Sequence, residues 1–145
     1  MIRFSDADIH SPLKGRKVLK EHLQELFRRE GFTLRSLQYV FCSDPYLLQI
    51  NRDFLKHDYY TDIVTFELGE DPEVIEGEIY ISIDRVRENA RDLTVPFQQE
   101  LLRVIFHGAL HLCGYKDKTP AQQKQMRAKE DENLRLADVP RRTVS

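Results

Sequence analysis

The run Phe97-Gln98-Gln99-Glu100-Leu101-Leu102-Arg103-Val104-Ile105-Phe106-His107-Gly108-Ala109-Leu110-His111-Leu112-Cys113-Gly114-Tyr115-Lys116-Asp117 decides how the rest of the chain is read. A cap at Thr94 and Pro96 open a helix here whose apolar residues fall almost all round. Such a helix belongs inside a domain, with other layers packed on several sides. His107 and His111 interrupt it at i, i+4 spacing, which places both imidazoles on one face about one turn apart. Gly114 ends the helix and permits a left-handed turn, so the chain can double back and bring Asp117 beside the two rings. Two neutral imidazoles and one carboxylate form a three-ligand set with a coordination position left open to water, as catalytic zinc sites have. Cys113, two residues past His111, points away from that face and is no fourth ligand.

A structural reading of the same residues is available. Asp117 would then be a solvated turn residue ahead of Thr119, and each histidine would need its own buried partner in an apolar helix. One shared cation answers both needs, so a metal site is the stronger expectation. Metalloprotease helices carry His-Glu-x-x-His with the Glu as general base; here Gly108 follows His107, which disfavours a peptidase.

Outward from this helix, Ile2 to Phe4 read as a short strand, and Val18, Leu19, His22, Leu23, Leu26 and Phe27 as one face of a helix stopped by Gly31. Leu37 to Cys42 alternate as a strand with both faces rather apolar, and Ser43-Asp44-Pro45 cap a helix running past Asn51 to Leu55. Asp62 to Leu68 and Glu78 to Ile83 are β-rich and read as a hairpin or neighbouring pair around the acidic Asp71-Pro72 loop. Asp84 is placed to cap a short helix, and Thr119-Pro120-Ala121-Gln122 reads as a capping box opening the last one. The expected architecture is a single α+β domain over residues 1–140: a small mixed sheet of about four strands with packed helices, and a buried central helix carrying the metal ligands. A frayed tail over 141–145 would follow.

At 145 residues the chain suits one domain, and no disulfide or metal is needed merely to hold it together. A net charge of -2 lacks the basic excess of many nucleic-acid binders, so any phosphate contact rests on a local patch. No apolar run approaches the roughly 18 residues that span a bilayer, and the start has no secretory h-region, which points to a cytoplasmic protein without membrane contact. Cys42 and Cys113 read as buried thiols.

The segment His107-Gly108-Ala109-Leu110-His111-Leu112-Cys113-Gly114-Tyr115 resembles the signature of the YbeY family of bacterial endoribonucleases, the ribosomal RNA maturation factors. Thr61-Asp62-Ile63-Val64-Thr65-Phe66 is similar to that family's Thr-Asp-Val-Leu-Ser-Phe strand, and Gly77-Glu78-Ile79-Tyr80-Ile81-Ser82 to its Gly-Asp-Ile-x-Ile-Ser strand. Order and spacing agree from Tyr39 to Leu134. The resemblance implies a zincin-like α+β fold, one zinc ion, and cleavage of single-stranded RNA in maturation of the small-subunit ribosomal RNA 3′ end and in ribosome quality control. It further implies the ribosomal small subunit and assembly factors, among them a GTPase, as partners in the cytoplasm.

Two departures from the family pattern bear on chemistry. The family usually places a third His where this chain has Asp117, which lowers the charge of the complex by one, should weaken its acidification of bound water, and broadens the plausible metals to other divalent ions. The family Arg thought to meet RNA phosphate aligns with Leu55, leaving Lys56 and His57 as the nearest substitutes; neither offers a guanidinium fork. Lys116 and Arg85 are further RNA-binding candidates, the latter beside Arg87 and Arg91 on one short helix. No residue announces itself as general base, so attack by metal-activated water and by the ribose 2′-hydroxyl both stay open. The alternatives to an endoribonuclease are an RNA-binding factor with little catalysis and a metal hydrolase of another substrate class.

Overall fold

The computed structural model describes the backbone of residues 1–144 and the side chains of residues 1–137; of the expected tail, Ser145 and the side chains of 141–144 lie outside the described residues. In chain order the elements are β1 (Ile2–Asp6), α1 (Arg16–Arg29), β2 (Thr33–Cys42), α2 (Asp44–Ile50), β3 (Ile63–Glu67), β4 (Val74–Ser82), α3 (Ile83–Leu93), α4 (Phe97–Leu112) and α5 (Pro120–Val144), with a π-helical turn, Asn51–Leu55, continuing α2. The four strands form one mixed sheet in the order β1-β2-β4-β3. β2 pairs in parallel with β1 and β4, while β3 lies antiparallel on β4 and forms an edge. This is the expected α+β architecture, and the two β-rich segments are neighbours as anticipated.

Side-chain period explains how the layers form. In β4, Ile75, Ile79 and Ile81 alternate onto the face that receives α4, and Leu37, Tyr39 and Phe41 of β2 do the same. Cys42 and Val64 project to the opposite face and meet Leu47 and Ile50 of α2, so the two apolar faces of β2 serve two cores. α4 packs on the sheet through Gly108. A Cβ there would lie 2.9 Å from Ile63 Cδ1 and 3.0 Å from Ile79 Cδ1, so any side chain at this position requires Ile63 and Ile79 to give way. Tyr39, fully buried, donates its hydroxyl to the Ile105 carbonyl at 2.8 Å and fixes the helix height over the sheet. Among the described residues, no helix is long and apolar enough to cross a membrane.

Two caps differ from expectation. β4 runs into α3 without a loop, so Ser82, its last residue, becomes the cap: its hydroxyl accepts from the Arg85 N–H at 3.1 Å, and Asp84 instead accepts from the Asp44 N–H. Thr94 does not open α4. It closes α3 in the left-handed region at φ 56°, and Pro96 occupies the N-cap of α4 without a side-chain cap. The capping box at α5 is as read: Gln122 N–H donates to Thr119 Oγ1, and Thr119 N–H to Gln122 Oε1, both at 3.1 Å. Gly31 follows α1 at φ 87°, the left-handed stop expected of it.

His22 links α1 to the rest of the core, its ring tilted against Phe106 and its Nε2 2.9 Å from Asn133 Oδ1. Burial lowers its pKa, with Arg29 adding to the shift while Asn133 and Glu25 oppose it. A group with a lowered folded pKa takes up its proton first in the unfolded chain, so the stability it contributes is present above about pH 6.5 and lost below it. Urea unfolding between pH 7 and pH 5 should therefore show a fall in stability that His22→Gln flattens; an equal slope in both proteins would refute this origin.

Candidate active site

Polar residues of α4 repeat at helical spacing along one face: Glu100, Arg103 and His107. With Asp62 on the approach to β3, Asp117 in the turn after α4 and Glu130 on α5, they surround a cavity of about 480 Å³. Residue placement follows from the fold, since the edge position of β3 leaves one side of α4 open and α5 folds back across it.

His107 is central. Its Nδ1 lies 2.7 Å from Glu130 Oε2, and its Nε2 lies 3.3 Å from Asp117 Oδ2. The reversal at Gly114, φ 100°, returns Asp117 to one of the two rings, that of His107. His111 stacks parallel to His107 with ring centres 6.3 Å apart, and its Nδ1 is buried without a hydrogen-bond partner. Charge inside the cavity is closely balanced. Arg103 reaches Glu130 at 3.1 Å and Asp131 at 3.0 Å. Burial raises the pKa of Asp62, which His107 partly offsets, and burial likewise raises that of Glu100 against the pull of Arg103. For His107 burial works against the imidazolium, but the Glu130 hydrogen bond and the charges of Glu130, Asp117 and Asp62 outweigh it and raise the pKa.

These donors fit a divalent ion in part. Two donors each about 2.0–2.1 Å from a tetrahedral ion stand about 3.3–3.4 Å apart, the spacing of His107 Nε2 and Asp117 Oδ2. With the Nδ1 proton turned toward Glu130, the nitrogen lone pair and a carboxylate oxygen face each other, an arrangement that a cation or a proton must relieve. Among the described residues no three His, Cys, Asp or Glu side chains converge closely enough to hold an ion as they lie. A three-donor site therefore requires His111 or Asp117 to move inward; the partnerless Nδ1 of His111 leaves its ring untethered on that side.

The RNA-binding candidates are dispersed. Lys56 ends the π-helical turn in the left-handed region at φ 58° and is exposed, His57 stacks on Tyr59, and Leu55 is exposed beside them. Arg85 is half-buried, paired with Asp44 at 2.9 Å and seated over the Tyr60 ring, while Arg87 covers Phe97. Lys116 is exposed and outside the cavity; Lys118, two residues on, lines it. Arg103, Arg127, Glu100 and Glu130 were not anticipated. Glu100 and Arg103 had a readable signal, since they precede His107 by seven and four residues on its own helix face. Cys113 sits half-buried against the core, where burial, reinforced by Glu30, pushes its pKa up to about 12; both cysteines are free thiols.

An α+β fold whose buried helix aims histidines at a carboxylate-rich cleft under an edge strand defines the class of protein. Residues 2–137 match the family model described as Endoribonuclease YbeY, and the chain belongs to that family. An Endoribonuclease YbeY of Cytophaga hutchinsonii is 50% identical over 135 residues, 93% of this chain and 94% of that protein. Another, from Flavobacterium psychrophilum, is 55% identical over 105 residues, 71% of this chain and 73% of that one. A solution structure of a Thermotoga maritima protein superposes with a TM-score of 0.68 at 32% identity, covering 99% of this chain and 93% of the other.

Proposed function

We propose that this chain is a metal-dependent endoribonuclease that cleaves single-stranded RNA in the cytoplasm, with the 3′ end of the small-subunit ribosomal RNA precursor as its natural substrate. Family membership supports the reaction class, and a binding factor without catalysis is not favoured. The observation that carries the site is His107 Nε2 facing Asp117 Oδ2 at 3.3 Å on the cavity wall. His107, His111 and Asp117 would hold one zinc ion, or another divalent metal. Such an ion supplies Lewis-acid charge to a phosphoryl oxygen and acidifies water near it.

The remaining steps fall to the chain itself. Arg127 and Lys118 line the cavity and can meet the phosphates flanking the scissile bond. Arg103 is engaged by carboxylates on both arms and is a poorer phosphate ligand. Asp62 and Glu100, with pKa values raised by burial, can retain a proton closer to neutral pH than an exposed carboxyl and pass it to a leaving oxygen. Gly108 fits a nuclease better than a peptidase, because it stands where a His-Glu-x-x-His helix carries its general base and packs closely on Ile63 and Ile79. Ribosomal small-subunit and assembly-factor contacts belong to the same proposal.

Incubation of the zinc-loaded protein with a single-stranded RNA, the same RNA in a duplex, and an unstructured peptide tests the reading. Cleavage of the single strand alone is expected. Cyclic phosphate ends would assign the attack to the 2′-hydroxyl, and their absence to water. Arg127→Gln should weaken RNA binding and reduce its salt slope by about 1. Peptide cleavage, or no cleavage of any RNA, would overturn the proposal.

A further inference from the structure

We propose that Glu130 is a positioning residue: it fixes the tautomer and aim of His107 from across the cleft, on a helix 23 residues further along the chain. The inference rests on the metal reading above only for its second readout. Glu130 has a side chain 6% exposed, and each carboxylate oxygen has its own donor. Oε2 takes the His107 Nδ1 proton at 2.7 Å, and Oε1 takes a guanidinium proton of Arg103 at 3.1 Å. A buried carboxylate needs a donor for each oxygen, and Arg103 and His107 supply them.

A neutral imidazole carries one ring proton, and the hydrogen bond at one nitrogen decides which nitrogen keeps its lone pair. Glu130 claims the proton at Nδ1 and so directs the Nε2 lone pair at Asp117 Oδ2. A carboxylate in that place also raises the basicity of the ring as a metal ligand, an effect whose loss typically weakens metal affinity by about 10–100-fold. The rival account is a clamp, in which the Arg103–Glu130 pair only ties α5 to α4. The two accounts separate experimentally, because a clamp has no influence on a tautomer.

The test uses the full chain. Long-range proton–nitrogen NMR correlations of the metal-free protein, at an alkaline pH where the ring is neutral, report the His107 tautomer; competition with a chromophoric chelator reports zinc affinity. Wild type should show the Nδ1–H form. Arg103→Gln cuts the clamp, keeps the Nδ1 acceptor and should keep that form. Glu130→Gln retains an oxygen but no charge, so the tautomer should persist while zinc affinity drops about tenfold; Glu130→Ala should release the tautomer and cost up to about 100-fold. Where Glu130→Ala does not fold, the near-isosteric Glu130→Gln carries the decision. Wild-type His107 in the Nε2–H form, or zinc affinity within twofold of wild type in Glu130→Gln, overturns the proposal. Absence of RNA cleavage by the wild type would count against the endoribonuclease reading and leave the tautomer result untouched.

Discussion

Asp117→Ala is expected to lose zinc and RNA cleavage together, with cleavage down by on the order of 10²-fold or more and folding stability nearly unchanged. The asymmetry follows from location. The side chain is 41% exposed and sits in a turn outside the packed core, where substitutions usually change stability by no more than about 0.5 kcal/mol. It faces His107 Nε2 at 3.3 Å, so its removal takes away one of three proposed ligands and a negative charge that attracts the ion. Asp117→His restores an imidazole of the kind the family usually carries and is expected to retain zinc and cleavage. Metal content, cleavage rate and thermal midpoint measured on the three proteins check this. Undiminished cleavage in Asp117→Ala would remove that residue from the active site.

The long helix, the glycine reversal and the position of Asp117 were legible because each is a short-range property of consecutive residues. Periodicity places His107 and His111 on one face, and a Gly in the left-handed region is a local conformational fact. Strand pairing of Ile63–Glu67 with Val74–Ser82 was legible for the same reason. The α3 and α4 caps were misread because Asp84 and Thr94 are good capping residues in isolation, and only the direct run of β4 into α3 shows that Ser82 takes the role. Glu130 had no local signal. It lies 23 residues from His107 on an amphipathic helix full of charges, and its burial depends on how α5 lies over α4. Describing α4 as apolar almost all round passed over Glu100 and Arg103, whose burial is tolerated because Arg103 reaches three carboxylates, those of Glu100, Glu130 and Asp131.

Phe106→Ala should be among the most destabilising single changes in the chain, at about 3–5 kcal/mol of unfolding free energy, a large part of the roughly 5–15 kcal/mol typical of a domain. Phe106 is fully buried, immediately precedes His107, and packs 4.9 Å centre to centre from the His22 ring. α4 is held against the sheet by the tight Gly108 contact and by the Tyr39 hydroxyl on Ile105, so the helix cannot settle into the space a missing ring would leave. The cost is therefore expected toward the upper end of the range, with Phe106→Leu, which fills most of the space, losing much less. Water entering beside His22 would also relieve the burial that lowers its pKa, so the acid sensitivity ascribed to that histidine should weaken in the same variant. Because Phe106 belongs to the core and is not among the residues that line the cavity, cleavage per folded molecule should survive well below the lowered thermal midpoint. Urea unfolding at pH 7 and pH 5, paired with cleavage at a low temperature, measures all three effects. A loss under about 1 kcal/mol would mean that α4 is free to shift on the sheet, contrary to the close Gly108 contact.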